Sequence, residues 1–499
     1  MIVNKTMFST SSAYYNIERM RQTFDDLQTQ LATGKKAQTL SDMGGTRSTN
    51  IDLRHQLSRV NSFQDNIVMV GTRLDVVDVV LQRLDTVESE VRSFAASDAA
   101  GENQINLTTA QSFARSHMDE LVNLMNTNVA GRHMFGGNNT EQPPVKSMDI
   151  LLNGEGGRDG FRTVVSERKA ADAGAAGLGR LALSQNTNVV NIAEDGIHPF
   201  GFKLSGASTD SLGVNAGTVA GAPPALDITF NSPPNVGEKI FVTLTLPDGS
   251  SETLAFAATL SATPTADEYQ VGATNDITAA NFEAALQNKL LEETTTTLNA
   301  ASVFAAADNF FNGNGETIQR VDGPPFDSAT ALIAATSADT ITWYEGSSSA
   351  DPRKSVVARI ADKASVGYGV EGNEKGFLEL MRSVASVAVE TFSLGDSTAG
   401  ARYDALTDRQ TDRLAENNNN RPGSIEVIAM ELGVVRNTMG SYNDLNNGYI
   451  NQVETVISGL EDAPIEEVAM RIQSLQVRLQ ASYQTMSIVS QLSMVNFIR

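Results

Sequence analysis

Apolar residues near the start of the chain recur at alternating intervals of three and four. Ile17, Met20, Phe24, Leu27 and Leu31 form this seam, separated by polar residues such as Glu18, Arg19, Arg21, Asp25 and Asp26. The spacing predicts an amphipathic helix with a narrow, coiled-coil-like stripe. Gly34 ends it, and the polar run through Gly44 and Gly45 to Asn50 predicts a long loop. A second seam predicts a helix over about residues 51–94: Leu53, Leu57, Val60, Ile67, Val70, Leu74, Val77, Leu81, Leu84 and Val91, with Gln64 and Glu88 as polar members. At about 1.5 Å per residue it would be roughly 65 Å long. Ala114, Met118, Leu121, Met125 and Val129 predict a third helix over 107–129.

The far end mirrors the near one. Leu378, Met381, Ala385, Ala388 and Phe392 predict a helix stopped by Gly395. After a polar turn, Ile425, Ile428, Leu432, Val435, Met439, Tyr442, Asn446, Tyr449, Val453, Val456 and Leu460 hold one register with a single polar lapse. Pro464 stops that helix and starts the last, which carries Ile465, Val468, Ile472, Leu475, Leu479, Met486 and Val489. A sustained seven-residue repeat demands a left-handed supercoil with other helices. The seams of the interior helices suit an intramolecular bundle. Those of the first and last suit assembly with other subunits, because free ends have little to pack against in a monomer.

Between these ends the composition shifts to Gly, Ala, Ser, Thr and Asp. Strands are predicted at 226–230, 239–246, 252–256, 340–344 and 355–360, and helices at 281–293 and 300–311. The turn Pro247-Asp248-Gly249 joins the second and third strands. The expected fold class is mostly α: a long antiparallel, coiled-coil helical rod made from both chain ends, with an inserted, β-rich α+β middle module. Three domains are expected: 1–50 with 451–499 as a terminal assembly domain, 51–140 with 371–450 as a rod, and 141–370 as the inserted module. Leu74, Val77, Leu81, Leu84, Ile428, Leu432, Val435 and Met439 are the candidate rod core.

Charge narrows the function. Lys and Arg number 37 against 59 Asp and Glu, a net charge of −22, which repels nucleic acid and anionic membrane surfaces. No apolar stretch approaches the ~20 residues a bilayer span needs. The first residues lack the basic head, apolar run and cleavage site of a secretory signal, which suits either a cytoplasmic protein or export without cleavage. The absence of cysteine removes disulfides, thiolate chemistry and Cys-based metal sites. His55, His117, His133 and His198 are nowhere paired at helical spacing, so no metal site is expected. Gly367-Tyr368-Gly369-Val370-Glu371-Gly372 fits a dinucleotide-binding pattern, but a heptad helix follows where a second strand with an acidic ribose partner belongs. A glycine-rich turn is the expected role. No catalytic residues, cofactor or metal are expected.

Several motifs carry a family resemblance. Leu31-Ala32-Thr33-Gly34-Lys35-Lys36 with Leu40-Ser41-Asp42, the closing stretch Gly131-Arg132-His133-Met134-Phe135-Gly136-Gly137 through Thr140-Glu141-Gln142-Pro143-Pro144, and Leu479-Gln480-Ala481-Ser482-Tyr483 fall in the order found in bacterial flagellins. Within that superfamily they most resemble the hook–filament junction proteins, the hook-associated protein 3 type. Met43 and Gly44 replace an Asp-Pro of the pattern, His133 stands where an aromatic residue is usual, and the middle is longer than is typical. The resemblance implies a secreted, non-enzymatic subunit of the flagellum, exported unfolded by the type III apparatus. It implies a homo-oligomeric ring or tube, built through Ile17, Met20, Phe24, Leu27 and Leu31 with Ile465, Val468, Ile472, Leu475, Leu479, Met486 and Val489. Implied partners are a hook-associated protein on the hook side, flagellin on the filament side and an export chaperone at the C-terminal helix. The alternatives are a flagellin of the filament itself and an enzyme or binding module carried in the middle insertion.

Overall fold

The computed structural model describes residues 5–96, 107–313, 315–393 and 395–497. Eleven helices are seen among them: α1 (Lys5–Thr33), α2 (Arg47–Ala95), α3 (Leu107–Met125), α4 (Met148–Asn153), α5 (Phe161–Ala173), α6 (Asn275–Thr295), α7 (Thr297–Phe310), α8 (Lys375–Val389), α9 (Ala399–Arg413), α10 (Ile425–Glu461) and α11 (Ile465–Phe497). The strands are β1 (Asn128–Val129), β2 (Arg132–His133), β3 (Leu181–Asn186), β4 (Val189–Glu194), β5 (Lys203–Thr209), β6 (Val214–Ala216), β7 (Ala225–Phe230), β8 (Lys239–Thr245), β9 (Ser251–Thr259), β10 (Glu268–Gln270), β11 (Gln319–Val321), β12 (Leu332–Ala334), β13 (Val357–Ala361) and β14 (Ala364–Gly367). The architecture is mostly α, with long helices from both chain ends and an inserted, β-containing middle. The chain divides into two compact units: residues 1–69, 359–365 and 438–499, and residues 70–358 with 366–437.

In the first unit α1 packs on α11, and Leu27, Ala463 and Val468 form a small buried cluster backed by Ile472 and Leu475. The start of α2 lies antiparallel to the end of α10. Arg54 pairs with Glu461, Gln56 accepts from the Tyr449 hydroxyl, and Gln64 donates to Asn443 at 3.3 Å, so residue numbers rise on one helix as they fall on the other. The polar lapse in the α10 seam has a structural cause. Asn446 is buried and donates to the Ile360 carbonyl at 3.3 Å, while Asn66 donates to the Arg359 carbonyl at 3.2 Å. Two amides thus hold the 359–365 tip, and both would be costly to bury unpaired.

The second unit continues the same seams. Val70, Leu74, Val77, Leu81, Leu84 and Val91 of α2 are buried, as are Ile425, Ile428 and Leu432 of α10. Val435 is half-buried, and Met439, in the first unit, is buried. Glu88, buried on the same stripe, is pushed up to about 7 by loss of solvent and then by the nearby Glu426 carboxylate. Arg83 bridges α2 to α3 through Glu120 at 2.5 Å. Helix α8 is buried from Ser383 to Val389 and at Phe377, Leu378, Leu380 and Met381, while Lys375, Glu379 and Arg382 line one narrow polar stripe.

The middle holds two four-stranded sheets, ordered β10-β9-β8-β5 and β3-β4-β7-β6, antiparallel except where β10 joins β9. Their inner faces share one core with α6. Phe282 of that helix lies 5.4–5.7 Å, ring to ring, from Phe230, Phe256 and Tyr269. Strand β8 buries Ile240, Val242 and Leu244 while the residues between them face outward, the period-two pattern of a sheet with one covered face. The Pro247-Asp248-Gly249 turn forms as expected, with Gly249 at φ +83° and Leu246 donating to Ser250 at 2.8 Å.

Several elements differ from expectation. The third helix stops at Met125, because Ala130 and Gly131 take positive φ and fold β1 back on β2. Residues 340–344 make only isolated bridges, Asp159 with Thr340 and Val145 with Tyr344, as Trp343 and Tyr344 turn inward. Helix α8 ends at Val389, and α9 follows where no helix was expected. The buried set of α9 is Ala399, Arg402, Tyr403, Leu406, Thr407 and Gln410, too polar to form a visible seam.

Leu74→Ala and Leu432→Ala should each destabilise the protein by about 2–5 kcal/mol, the cost of a cavity in a packed helical layer. Urea denaturation followed by circular dichroism measures this, and losses below about 1 kcal/mol at both sites would place these residues outside the core.

Candidate assembly surface of the terminal helices

Helix α11 has two apolar faces. Its inward seam against α1 is Val468, Ile472, Leu475, Leu479 and Met486, buried or half-buried. The matching positions of α1 are Ile17, Met20 and Phe24, half-buried, and Leu27, buried. The expectation that these seams lack a partner within the monomer is therefore corrected: they meet each other. Two ends of the expected interface stay open, with Leu31 of α1 and Ile465 and Val489 of α11 exposed.

The second face lies two residues further along. Met470, Val477 and Ile488 follow Val468, Leu475 and Met486 by two positions, about 200° around the helix and so nearly opposite the α1 contact. They are 65%, 65% and 56% exposed. A helix that merely packed on one neighbour would be polar there. Tyr14 and Tyr15 of α1 also stand exposed, and a groove of about 750 Å³ between the helices is lined by Tyr14, Ile17, Arg21, Tyr483 and Met486 among others. Glu18, Gln22, Asp25 and Ser487 line it as well, so its walls mix apolar, aromatic and charged side chains, which suits protein contact rather than chemistry.

Below this pair the two chain ends are fastened at a clasp. Gly34 turns the chain at φ +70°, Lys36 donates its amide to the Glu461 carbonyl at 2.7 Å, and the Ala463 amide donates to Gly34 at 2.8 Å. The Glu461 carboxylate accepts from the buried Asn50 amide at 2.7 Å and from Arg54, and Lys35 reaches Asp462 at 2.6 Å. Hydrogen bonds from Asn50 and then Arg54 hold Glu461 below its ordinary value, and Lys35 does the same to Asp462. The Lys35 ammonium is raised in turn, chiefly by Asp462. None of these partners was legible as a site, since only the fold brings residue 50 to residue 461.

The other candidate motifs are structural. In the glycine-rich segment, Tyr368 donates its amide to Val356, Gly369 to Arg353 and Gly372 to Phe135, so these N–H groups are already committed to protein carbonyls. A Cβ on Gly367 would stand 2.5 Å from the Arg353 carbonyl oxygen, which explains glycine by close packing. The segment also zips the module's exit to its entrance, with Gly137 donating to Val370 at 3.0 Å and Tyr344 to the Phe135 carbonyl at 2.9 Å. His198 sits 2.6 Å from Asp195, His133 2.9 Å from the Asn126 carbonyl, and His117 3.4 Å from Glu120, while His55 lies on an exposed position of α2. Among the described residues no group of three or more His, Asp or Glu could hold a metal ion, and no helix is long and apolar enough to cross a membrane.

Paired end helices with a spare apolar face are the geometry of a self-assembling subunit. Residues 3–140 match the bacterial flagellin N-terminal helical region. The matched flagellin span takes in α1, α2 and α3 and supports a place in the bacterial flagellin superfamily, as a structural component of the flagellum. No curated protein matches the chain. A flagellin-like subunit implies self-assembly into a flagellar polymer, and so export to the flagellum.

The clasp should open at both pH extremes. Glu461 and Asp462 have folded values below their unfolded ones (about 4.3 and 3.9), so their stabilisation is complete above that range and is lost as pH falls through the folded values. Lys35 is raised, so its share is complete below about 10.4 and is lost as pH rises through the folded value. Hydrogen exchange at the Lys36 and Ala463 amides, corrected for intrinsic rate, should quicken below about pH 4. Glu461→Gln should quicken it already at pH 7 and shrink the acid step; unchanged protection in that variant would remove Glu461 from the clasp.

Proposed function

We propose that the chain is the subunit that joins the flagellar hook to the filament, assembling as a homo-oligomeric ring through its terminal helices. The observation that carries this is the second apolar face of α11, Met470, Val477 and Ile488, on a helix whose first face is taken by α1. In this reading 1–50 with 451–499 is the assembly domain, 51–140 with 371–450 supports it, and 141–370 is a variable module. The seam residues share out between the intramolecular pair and the open ends Leu31, Ile465 and Val489. The junction assignment within the superfamily rests on the closing stretch 131–144 and the Leu479-Gln480-Ala481-Ser482-Tyr483 helix. Its neighbours would be a hook-associated protein on one side and flagellin on the other. Type III export in an unfolded state would leave the α11 seam bare, which calls for a chaperone covering that helix. Filament flagellin is the second reading, favoured by the size of the middle module.

Met470→Asp with Val477→Asp should leave monomer folding unchanged and raise the concentration needed for assembly by at least about tenfold, because a carboxylate would be buried at each contact. Sedimentation against wild type reads this. A deletion strain separates the two flagellar readings: loss of filaments from intact hooks, with flagellin shed into the medium, supports the junction role. Long filaments seeded by the purified protein would transfer the assignment to flagellin.

A further inference from the structure

One end of the β10-β9-β8-β5 sheet gathers exposed apolar side chains. Strand β5 ends where β8 begins, since Thr209 pairs with Ile240, and β8 begins where β9 ends, since Lys239 pairs with Ala257. The loops leaving these strands therefore emerge together. They present Leu212 at 102% exposure, Leu260 at 69% and Val236 at 62%, with Ile277 at the start of α6 at 47%. Single exposed apolar residues are ordinary, but three on adjoining loops with a fourth at the neighbouring helix start gather at one tip.

The loops are tied to one another, so the patch is preformed. Asn231 and Ser232 donate to the Gly213 carbonyl at 2.8 and 3.0 Å, Gly237 to Ala258 at 2.8 Å and Val271 to Thr259 at 2.8 Å. The Asn275 side chain closes the ring by donating to Asn231 at 3.0 Å. Little conformational freedom would have to be lost on binding.

Around the patch the charge is mostly negative. Asp210, Glu238, Asp267, Glu268 and Asp276 surround it. Lys239 is the only basic residue of these loops, and Lys289, from α6, reaches Asp267 at 3.3 Å. Among the described residues, Asp210, Glu238, Glu268 and Asp276 form no ion pair. Residues 181–295 carry three lysines against thirteen carboxylates, a net −10. A second copy of this tip would meet like charge, and anionic lipid or nucleic acid would be repelled.

We propose that this tip is a docking surface for a polypeptide that presents apolar side chains among lysines or arginines. The apolar residues supply the contact and the carboxylate rim selects the partner's charge. This is independent of the hook–filament reading, because it uses neither terminal helix.

The test uses the full chain and two synthetic helix-forming peptides, one of leucine and lysine and one with glutamate replacing lysine, followed by fluorescence anisotropy. The lysine peptide should bind and the glutamate peptide should not. Leu212→Ser with Leu260→Ser should weaken binding at least about tenfold. Asp210→Asn with Asp276→Asn should weaken it and flatten its salt dependence. All four positions are exposed, so circular dichroism should match wild type. Equal binding of the lysine peptide by L212S/L260S would reduce the effect to bulk charge and overturn the proposal. So would equal binding of both peptides. Self-association of the chain that L212S/L260S abolishes would overturn it in favour of a second copy.

Discussion

Segments from opposite ends of the chain must meet before the long helical region can form. The Asn50–Glu461 hydrogen bond closes a separation of 411 residues. A flexible loop of that length costs on the order of 5 kcal/mol in the logarithmic closure term alone. One clasp could not offset this, but the antiparallel α2 and α10 seams can, since each buried leucine or valine contributes about 1.5–3 kcal/mol. The clasp then fixes register where the seam runs out, and its charges add direction to an attraction that has none. The middle module, with its own core around Phe282, folds on contacts nearer in sequence.

How much of this was readable before the fold was known depends on how each element earns its stability. Long seams such as Leu74 to Leu84 and Ile425 to Met439 betray a buried face by period alone, and α2, α10 and α11 stand within a few residues of expectation. Helix α9 buries Arg402, Thr407 and Gln410 beside two large apolar residues, so its inward face looks like surface until Asp396 and Ser383 are seen to satisfy it. Strands β3 to β6 alternate apolar residues with Ser, Asn and Gly over short runs and needed their neighbours to be recognised.

The site was half legible for a related reason. A heptad seam says that a helix wants company without saying whose. For α1 and α11 the company is mutual, and the apolar face left exposed is the one that periodicity did not single out, Met470, Val477 and Ile488. The reverse holds for the glycine-rich segment, where a formal match to a phosphate-binding pattern dissolves once its amides are seen donating to Val356, Arg353 and Phe135. Spacing identifies glycine; only packing tells why it is there.

The zipper at the module's doorway has a consequence for how such chains diversify. Gly136 bridges to Glu371, so the points where the chain leaves the helical region and re-enters it are adjacent. To the helices, the two sheets between these points are an insertion with fixed ends, while the 359–365 tip packs back on α2 and α10. Residues of the sheets can be added, lost or exchanged between those two points without shifting a heptad of α2 or α10. The carboxylate of Glu371, buried and held by Ser347 and Ser349, guards the splice from the inside. A lineage is thus free to rewrite the decoration of this protein while the helices that flank it are read in the same frame.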